Sequence, residues 1–433
     1  MKNIFLLVIA LIAFSLPSSA QELKQPDFDQ YFTDNTLRIN YIREGNRKTE
    51  RAYLALKDAY SAKKGWAGSR TILLDPINNG DYRIWVEDAA TNTPIYSRTF
   101  HNLFREYRDT PAGADSVAQF QEVANIPMPK EAVNIYIQVR DNKLQFHNET
   151  KFTFNPKTDQ APVRNSIKPI QLQYKGSSDK KIDVAIVAEG YGKKDKKKMM
   201  RDFEKFTEYL FGAEPFTSRR DDFNVWGVGY LAEESGVTNP GKKIKVNSAV
   251  GASYYTFGSD RYLMTSQIFK LHDLLASTPV DHIIIMVNSE VYGGGAIYNF
   301  YAVSAVLDMA RNILPHELGH SIGGLADEYV DVNLPYNGMH KEEFEPIEPN
   351  ITSLVDFDRK WKDMLPENTP IPTPPCKLEH RMDNCGQLGV YEGAGYKPKG
   401  LYRPVMNCMM NYYAPFCPVC TRALNQMFDL YTH

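Results

Sequence analysis

The segment formed by residues 315–329 limits the possible folds of this chain more than any other. It reads Pro-His-Glu-Leu-Gly-His-Ser-Ile-Gly-Gly-Leu-Ala-Asp-Glu-Tyr. Side chains four residues apart share one face of an α-helix, so His316 and His320 would project together with Glu317 beside them. The glycines at 323 and 324 would end that helix. The fold must therefore contain a helix that presents two imidazoles and a carboxylate on one side.

The pattern His-Glu-x-x-His on a helix is the signature of a catalytic zinc site. A zinc ion held by three protein ligands keeps a water in its fourth position and lowers the pKa of that water to roughly 7. With 9 histidines in 433 residues, the pattern would arise by chance in roughly one such chain in a hundred. This disfavours a helix with two unrelated histidines. We predict Zn²⁺ as cofactor, with His316 and His320 as ligands and Glu317 as the catalytic base.

A catalytic zinc needs a third protein ligand. In the metzincin pattern it follows the second histidine by six residues, a position occupied here by Ala326, which cannot bind a metal. Asp327 comes one residue later, and the second glycine of the pair gives slack for this lengthening. We predict Asp327 as the third ligand. Glu328 is the first alternative, and Glu342 or Glu343 on a following helix is the second.

A second segment fits the floor of such a site. Cys408-Met409-Met410-Asn411-Tyr412 looks like a Met-turn, in which a methionine packs under the metal and a tyrosine two places later reaches the metal or the oxyanion. Met410 and Tyr412 have this spacing. Methionines are also ordinary core filler, and Tyr412 could be an ordinary buried phenol. The helix motif favours the turn, so Tyr412 is the second predicted catalytic residue.

The first residues predict export. Residues 1–20 contain Lys2, an apolar run and a Leu-Pro-Ser-Ser-Ala end before Gln21, which is the pattern of a cleavable signal peptide. The expected location is secreted, periplasmic or at the cell surface. No later stretch approaches 18 apolar residues and no cysteine follows the signal, so we expect neither a membrane span nor a lipid anchor. A formal charge of −2 gives no reason to expect nucleic acid as a partner.

All five cysteines lie near the end of the chain, at positions 376, 385, 408, 417 and 420. In an exported chain they predict disulfides, with an odd thiol left over. We expect Cys408 to bond to Cys417 or Cys420. Cys417-Pro-Val-Cys420 could instead be a redox pair, or could join Cys408 in a four-ligand structural zinc site.

The N-terminal part predicts an all-β domain at residues 21–160. Residues 82–87 alternate apolar and polar side chains and meet residues 93–100 across a turn; a second hairpin pairs residues 133–139 with 144–154. Repeated hairpins indicate an antiparallel sandwich. It contains no catalytic constellation, so it would be a module for positioning or for contact with carbohydrate or protein, or a folding spacer. The proline-rich and polar stretch at 156–181 predicts a domain boundary.

Residues 175–433 change to an α/β pattern. Strands are expected at 182–188, 223–230, 283–287 and 298–305, with helices at 199–210 and 262–275 and the metal helix beginning near Met309. This order is typical of zinc-dependent endopeptidases. In such enzymes a substrate strand pairs along the sheet edge beside the metal, and residues 293–296 would line that edge or form a tight turn.

Three segments together resemble the IgA peptidase family of secreted bacterial zinc metalloendopeptidases: residues 316–329, residues 408–420 and Ala188-Glu-Gly-Tyr191. The resemblance covers about residues 180–430, and the Asp-Glu-Tyr sequence after the glycine pair is its most specific mark. It implies a metzincin-like catalytic domain, zinc and endoproteolysis outside the cytoplasm. Its implied ligands are His316, His320 and Asp327, with Glu317 as base. It does not imply that immunoglobulin A is the substrate.

The predicted function is a secreted zinc-dependent endopeptidase that hydrolyses extracellular proteins, host or immunoglobulin-like proteins among them. The first alternative is a binding protein with a vestigial peptidase domain, which the intact His-Glu-x-x-His argues against. The second is a zinc amidase that uses the same helix. A cleft shaped for an extended peptide, with a free sheet edge, would argue against the amidase.

Overall fold

The computed structural model describes residues 24–56, 58–335, 338–375 and 386–432. The predicted signal peptide therefore lies outside the described residues, as do Cys376 and Cys385. In the described part of the chain, no helix is both long enough and apolar enough to cross a membrane.

Alternation of apolar and polar residues builds the N-terminal part into strands. Its elements are α1 (Phe28–Tyr31), β1 (Phe32–Gly45), β2 (Glu50–Leu54), β3 (Tyr60–Lys64), β4 (Tyr82–Asp88), β5 (Pro94–Phe100), α2 (Leu103–Tyr107), α3 (Pro111–Asp115), β6 (Ala118–Pro129), β7 (Val133–Arg140) and β8 (Phe146–Phe154).

These strands form two antiparallel sheets of four strands each. The first has the order β2-β1-β3, with β6 also paired to β1, and the second has the order β5-β4-β7-β8. Inward residues of both sheets, such as Ile39 and Ile135, are fully buried in one shared apolar core. The two expected hairpins are present as β4-β5 and β7-β8, within the two-sheet antiparallel arrangement that the alternation predicted.

The second part of the chain contains one six-stranded sheet and several helices. Its elements are β9 (Ile170–Gln173), β10 (Ile182–Glu189), α4 (Lys196–Leu210), β11 (Phe223–Gly229), α5 (Ile268–Leu274), β12 (His282–Val287), β13 (Gly294–Ile297), β14 (Tyr301–Ala305), α6 (Ala310–Ser321), β15 (Tyr391–Ala394), β16 (Lys397–Arg403), α7 (Met409–Tyr412) and α8 (Pro418–Thr432).

The sheet order is β13-β14-β12-β10-β11-β9. The four inner strands are parallel, and the two outer strands, β13 and β9, run antiparallel to their neighbours. Apolar residues of α4, α6 and α8 form a core cluster with one set of strand residues, while α5 belongs to the cluster on the other set. Cover on both faces explains why residues 184–188 of β10 and residues 283–287 of β12 are continuous apolar runs.

Two expectations about this part are wrong. The helix expected at 262–275 begins only at Ile268, because Tyr262 and Met264 bridge to neighbouring extended segments. The stretch expected as a linker contains β9, whose Ile170 and Leu172 pack against the core while the strand pairs with β11. Residues 170–173 therefore belong to the six-stranded sheet.

Candidate metal centre

Helix α6 carries the two histidines as the sequence predicted. It packs on β13 and β14, its residues Ala310 and Leu314 are buried, and it ends at Ser321, shortly before Gly324 adopts a left-handed φ of 61°. Gly319, one turn inside, lies so close to the Met410 sulfur that a Cβ there would be 2.5 Å from it. The glycine thus allows the Met410 turn to pack directly under the helix.

Backbone carbonyls hold both imidazole rings in one orientation. Nδ1 of His316 donates to the carbonyl oxygen of Met409 at 2.9 Å, and Nδ1 of His320 donates to that of Leu325 at 2.6 Å. In the neutral ring each bond fixes the tautomer and leaves Nε2 as the atom with a free lone pair, which is the usual arrangement behind a metal-binding histidine.

The free nitrogens meet one oxygen of Asp327. Nε2 of His316 lies 3.1 Å and Nε2 of His320 lies 3.3 Å from Asp327 Oδ1, and the two nitrogens are 3.2 Å apart. Donor atoms about 2.0 Å from a tetrahedral ion are separated by about 3.3 Å. Among the described residues, Asp327 Oδ1 has no hydrogen-bond partner although it is buried. The three donors therefore fit a small divalent metal ion such as zinc.

The charges of this cluster support each other. Burial opposes protonation of His320, but the Asp327 carboxylate outweighs it and raises the pKa of His320 to about 9. Burial likewise opposes ionisation of Asp327, yet the two imidazoles hold the pKa of Asp327 well below its usual range. The second oxygen, Asp327 Oδ2, accepts a hydrogen bond of 2.5 Å from Tyr396. Asp327 is thus an oriented carboxylate that stays ionised.

Glu317 borders the same cleft and is 9% exposed. Burial raises the pKa of Glu317, and the positive potential of His316 and His320 opposes this. A Cβ on Gly294 of strand β13 would sit 2.9 Å from Glu317 Oε1. Strand β13 can therefore pass beside the carboxylate only because residue 294 has no side chain. Residues 293–296 were expected to form either a sheet edge or a tight turn, and the structure contains the sheet edge.

The cleft has a volume of about 390 Å³ and one wall comes from the N-terminal domain. Arg105 of α2 donates to Glu348 at 2.6 Å, and Glu106 accepts from the hydroxyl of Tyr262 at 2.5 Å. Burial raises the pKa of Glu106 to about 7. Sequence reasoning missed these residues, because neither a motif nor a periodicity connects α2 with a helix two hundred residues later.

Tyr413, and not Tyr412, lies at the cleft. Tyr412, the predicted catalytic tyrosine, is 42% exposed and does not line the cleft. Tyr413 ends α7 with a left-handed φ of 54°, which redirects its ring to within 5.6 Å of the His316 ring. Its hydroxyl lies 2.9 Å from that of Tyr292. The left-handed turn, which the residue spacing does not reveal, explains the difference.

The alternative third ligands lie elsewhere. Glu328 points away from the histidines, and its Oε1 accepts from Asn350 at 2.9 Å and contacts the Cys420 sulfur at 3.3 Å. Glu342 pairs with Lys397 at 3.3 Å, and residues 341–350 contain no helix that could carry Glu342 or Glu343 to the metal site.

The disulfide expected at Cys408 is absent from the structure. Cys408, Cys417 and Cys420 are free and buried. The sulfurs of Cys408 and Cys420 are 3.6 Å apart, compared with about 2.05 Å in a disulfide.

Two imidazoles, an aspartate and a buried glutamate in one cleft are the donors and base that a metal-dependent hydrolase would require. The family model described as IgA Peptidase M64 matches residues 170–384 and 376–428, and the model described as Peptidase M64 N-terminus matches residues 27–152. The chain therefore belongs to the IgA peptidase M64 family, as the sequence motifs predicted, and is a peptidase. A search among curated proteins found no match.

Proposed function

We propose that this peptidase is a zinc-dependent endopeptidase that cleaves extended segments of extracellular proteins. The observation that carries the proposal is the triangle of donor atoms from His316, His320 and Asp327, with sides of 3.1–3.3 Å, beside the buried Glu317. A metzincin-like catalytic domain is part of the proposal, since the edge strand β13, the metal helix and the Met410 turn are arranged around these donors.

Zinc bound at these donors would supply Lewis acidity, lowering the pKa of a water to roughly 7 and polarising the scissile carbonyl. Glu317 takes a proton from the attacking water and passes it to the amine nitrogen as the C–N bond breaks. Its raised pKa suits it to both transfers, because proton transfer is most efficient when the pKa lies near the working pH. The Tyr413 hydroxyl donates to the carbonyl oxygen as that oxygen gains charge.

Strand β13 supports the choice of an extended peptide. The N–H of Gly294 donates to the carbonyl oxygen of Arg261, and its C=O accepts from the N–H of Leu263, both on the side of β13 that faces away from β14. Because backbone groups alternate between the two sides of a strand, the N–H and C=O of Ala296 point to that same side, at the cleft. A substrate strand can add there through main-chain hydrogen bonds, which are indifferent to side chains. A zinc amidase would have no need for this edge.

Export is a further part of the proposal, and it rests on the signal-like residues 1–20. An extracellular substrate follows from it. N-terminal sequencing of the protein recovered from the medium or the cell envelope should begin near Gln21; intact Met1 in the cytosol alone would contradict export.

The function is tested by incubating the purified chain with a protein mixture that includes immunoglobulin A, with and without a chelator, and identifying new peptide ends by mass spectrometry. We expect internal cleavages that the chelator stops and added zinc restores. The matched variant Glu317→Gln should keep its zinc and lose turnover by roughly a hundredfold or more. Cleavage at the wild-type rate by that variant, or cleavage unaffected by complete metal removal, would refute the mechanism.

A further inference from the structure

A second group of metal-binding side chains lies below the cleft and is separate from the histidine site. It consists of Glu328, Cys408, Cys417 and Cys420, whose candidate donor atoms all lie within 4.8 Å of one another. All four side chains are buried, with Cys417 the most exposed at 4%. We propose that these residues hold a second zinc ion, with a structural role.

Two distances within the group match those between ligands of tetrahedral zinc. With Zn–S bonds of about 2.3 Å, two thiolates are about 3.8 Å apart, and a thiolate and a carboxylate oxygen are about 3.5 Å apart. The observed separations are 3.6 Å between the Cys408 and Cys420 sulfurs and 3.3 Å between the Cys420 sulfur and Glu328 Oε1. These are too long for a disulfide and suitable for ligands around one ion.

Backbone N–H groups point at the sulfurs. The N–H of Cys417 donates to the Cys408 sulfur at 3.4 Å, and the N–H of Cys420 donates to the Cys417 sulfur at 3.5 Å. Such donors stabilise thiolate charge, which is the form of cysteine that binds metal. The spacing Cys-Pro-Val-Cys at the start of α8 lets two sulfurs reach one ion.

Glu328 supplies an independent indication. Within the described chain, its Oε2 atom is buried without a hydrogen-bond partner. In its ionised form, a carboxyl group buried next to three thiol groups is unfavourable unless a cation compensates its charge. Zinc would provide that charge and would release up to three protons as the thiols ionise. Four ligands close the coordination sphere, so this ion would have no open position for a substrate.

The group also connects to the histidine site through the main chain. Glu328 follows Asp327 directly, and its N–H donates to the carbonyl oxygen of Met410 at 2.8 Å. Met409, next to Met410, receives the hydrogen bond that orients His316. A second zinc would therefore fasten the Met410 turn and the third ligand of the first site to the beginning of α8.

The experiment measures zinc per chain by mass spectrometry on the full chain, purified without added reductant or chelator. We expect two zinc ions in the wild type, one in His320→Ala and one in Cys417→Ser. Cobalt exchanged into the wild type gives a second measurement that needs no variant: a thiolate-to-cobalt charge-transfer band, which His320→Ala should keep and Cys417→Ser should lose. The histidine site has no sulfur ligand, so the band reports the second site alone.

A thiol count completes the test and needs no variant either. Cys408, Cys417 and Cys420 should resist alkylation in the folded protein and react after the metal is extracted. A disulfide between any two of them in the protein as isolated, iron or copper in place of zinc, or no thiolate band with cobalt would overturn the proposal. Because His320→Ala removes only the first site, failure of the peptidase mechanism and absence of the second zinc give different results.

Discussion

The adjacent tyrosines at the end of α7 offer a matched pair of variants for testing the catalytic assignment. The Tyr413 hydroxyl lies at the cleft, 2.9 Å from that of Tyr292, and its ring contacts the His316 ring edge to face. Burial raises the pKa of Tyr413, and the neighbouring Tyr292 adds to the shift, so the hydroxyl keeps its proton at neutral pH and can donate it in a hydrogen bond. Tyr412 is the control.

The expected cost of Tyr413→Phe can be divided into two parts. The folded state loses one hydrogen bond, worth about 1 kcal/mol at most, because Tyr292 is 39% exposed and can bond to water instead. The transition state loses a donor to the developing oxyanion, worth a factor of about 100 in kcat, or about 2.7 kcal/mol. The phenyl ring remains on His316, so zinc content should not change. Tyr412→Phe should stay within about twofold of the wild type, since Tyr412 does not line the cleft.

Initial rates on a peptide taken from a mapped cleavage site would give kcat and KM for both variants, with zinc content and Tm measured on the same samples. We expect the loss for Tyr413→Phe to fall mainly on kcat. If Tyr413→Phe keeps more than about half of the wild-type kcat/KM at full zinc content, the hydroxyl does not stabilise the transition state. A larger loss in Tyr412→Phe would restore the original sequence-based assignment.

Three further outcomes follow from contacts around the cleft. Gly294→Ala should lower kcat about tenfold with zinc retained, because its Cβ would displace the Glu317 carboxylate by a few tenths of an ångström, whereas Gly338→Ala, with nothing within 4 Å, should leave the kinetics unchanged. Arg105→Met should lower the free energy of unfolding by about 3–5 kcal/mol, since it removes the guanidinium that pairs with Asp81 and with the buried Glu348; if adding Glu348→Gln to this variant does not partly restore the Tm, the explanation is contradicted. Burial opposes ionisation of Glu348, but Arg105 outweighs it and lowers the pKa of Glu348, so its stabilising effect is complete above the unfolded pKa of about 4.3 and is lost as the pH falls below it. Denaturant titrations should then show the stability difference between wild type and Glu348→Gln shrinking from about pH 6 to about pH 3; a constant difference would exclude this effect.

The metal helix and its histidines were predictable because their signal is local. A helix fixes the relation between residues four apart, and the glycine pair ends it, so His316 and His320 needed no knowledge of the rest of the fold. The hairpins β4-β5 and β7-β8 were predictable for the same reason, since each is a short-range pattern of alternation and turn.

The parts that sequence reasoning missed depend on contacts distant in sequence or on a single backbone angle. The wall formed by Arg105 and Glu106 reaches the cleft only when two domains pack together. Tyr413, and not Tyr412, lines the cleft because Tyr413 takes a left-handed conformation at the end of a short helix. The disulfide expectation came from the predicted compartment, and compartment does not determine whether three nearby thiols bond to one another or to a metal.

The neighbouring residues Asp327 and Glu328 explain why the sequence favoured Asp327 as the third ligand but left Glu328 open as an alternative. Both are acidic, both are buried and both contact metal-binding groups, so composition and spacing treat them alike. The backbone separates them: the carbonyl of Asp327 accepts from Gly395 and the N–H of Glu328 donates to Met410, and between these two anchors the side chains point to different clusters. The segment after the glycine pair thus contributes one carboxylate to the histidine site and the next to the cysteine group. If both groups hold zinc, the position of Asp327 depends on the ion bound by Glu328. Glu328→Gln should then weaken zinc retention at the cysteine group first. Through the shared backbone it should also reduce kcat, although it removes no residue from the cleft. If chelator titrations show that the two zinc ions leave independently and kcat is unchanged, the position of Asp327 does not depend on the second ion.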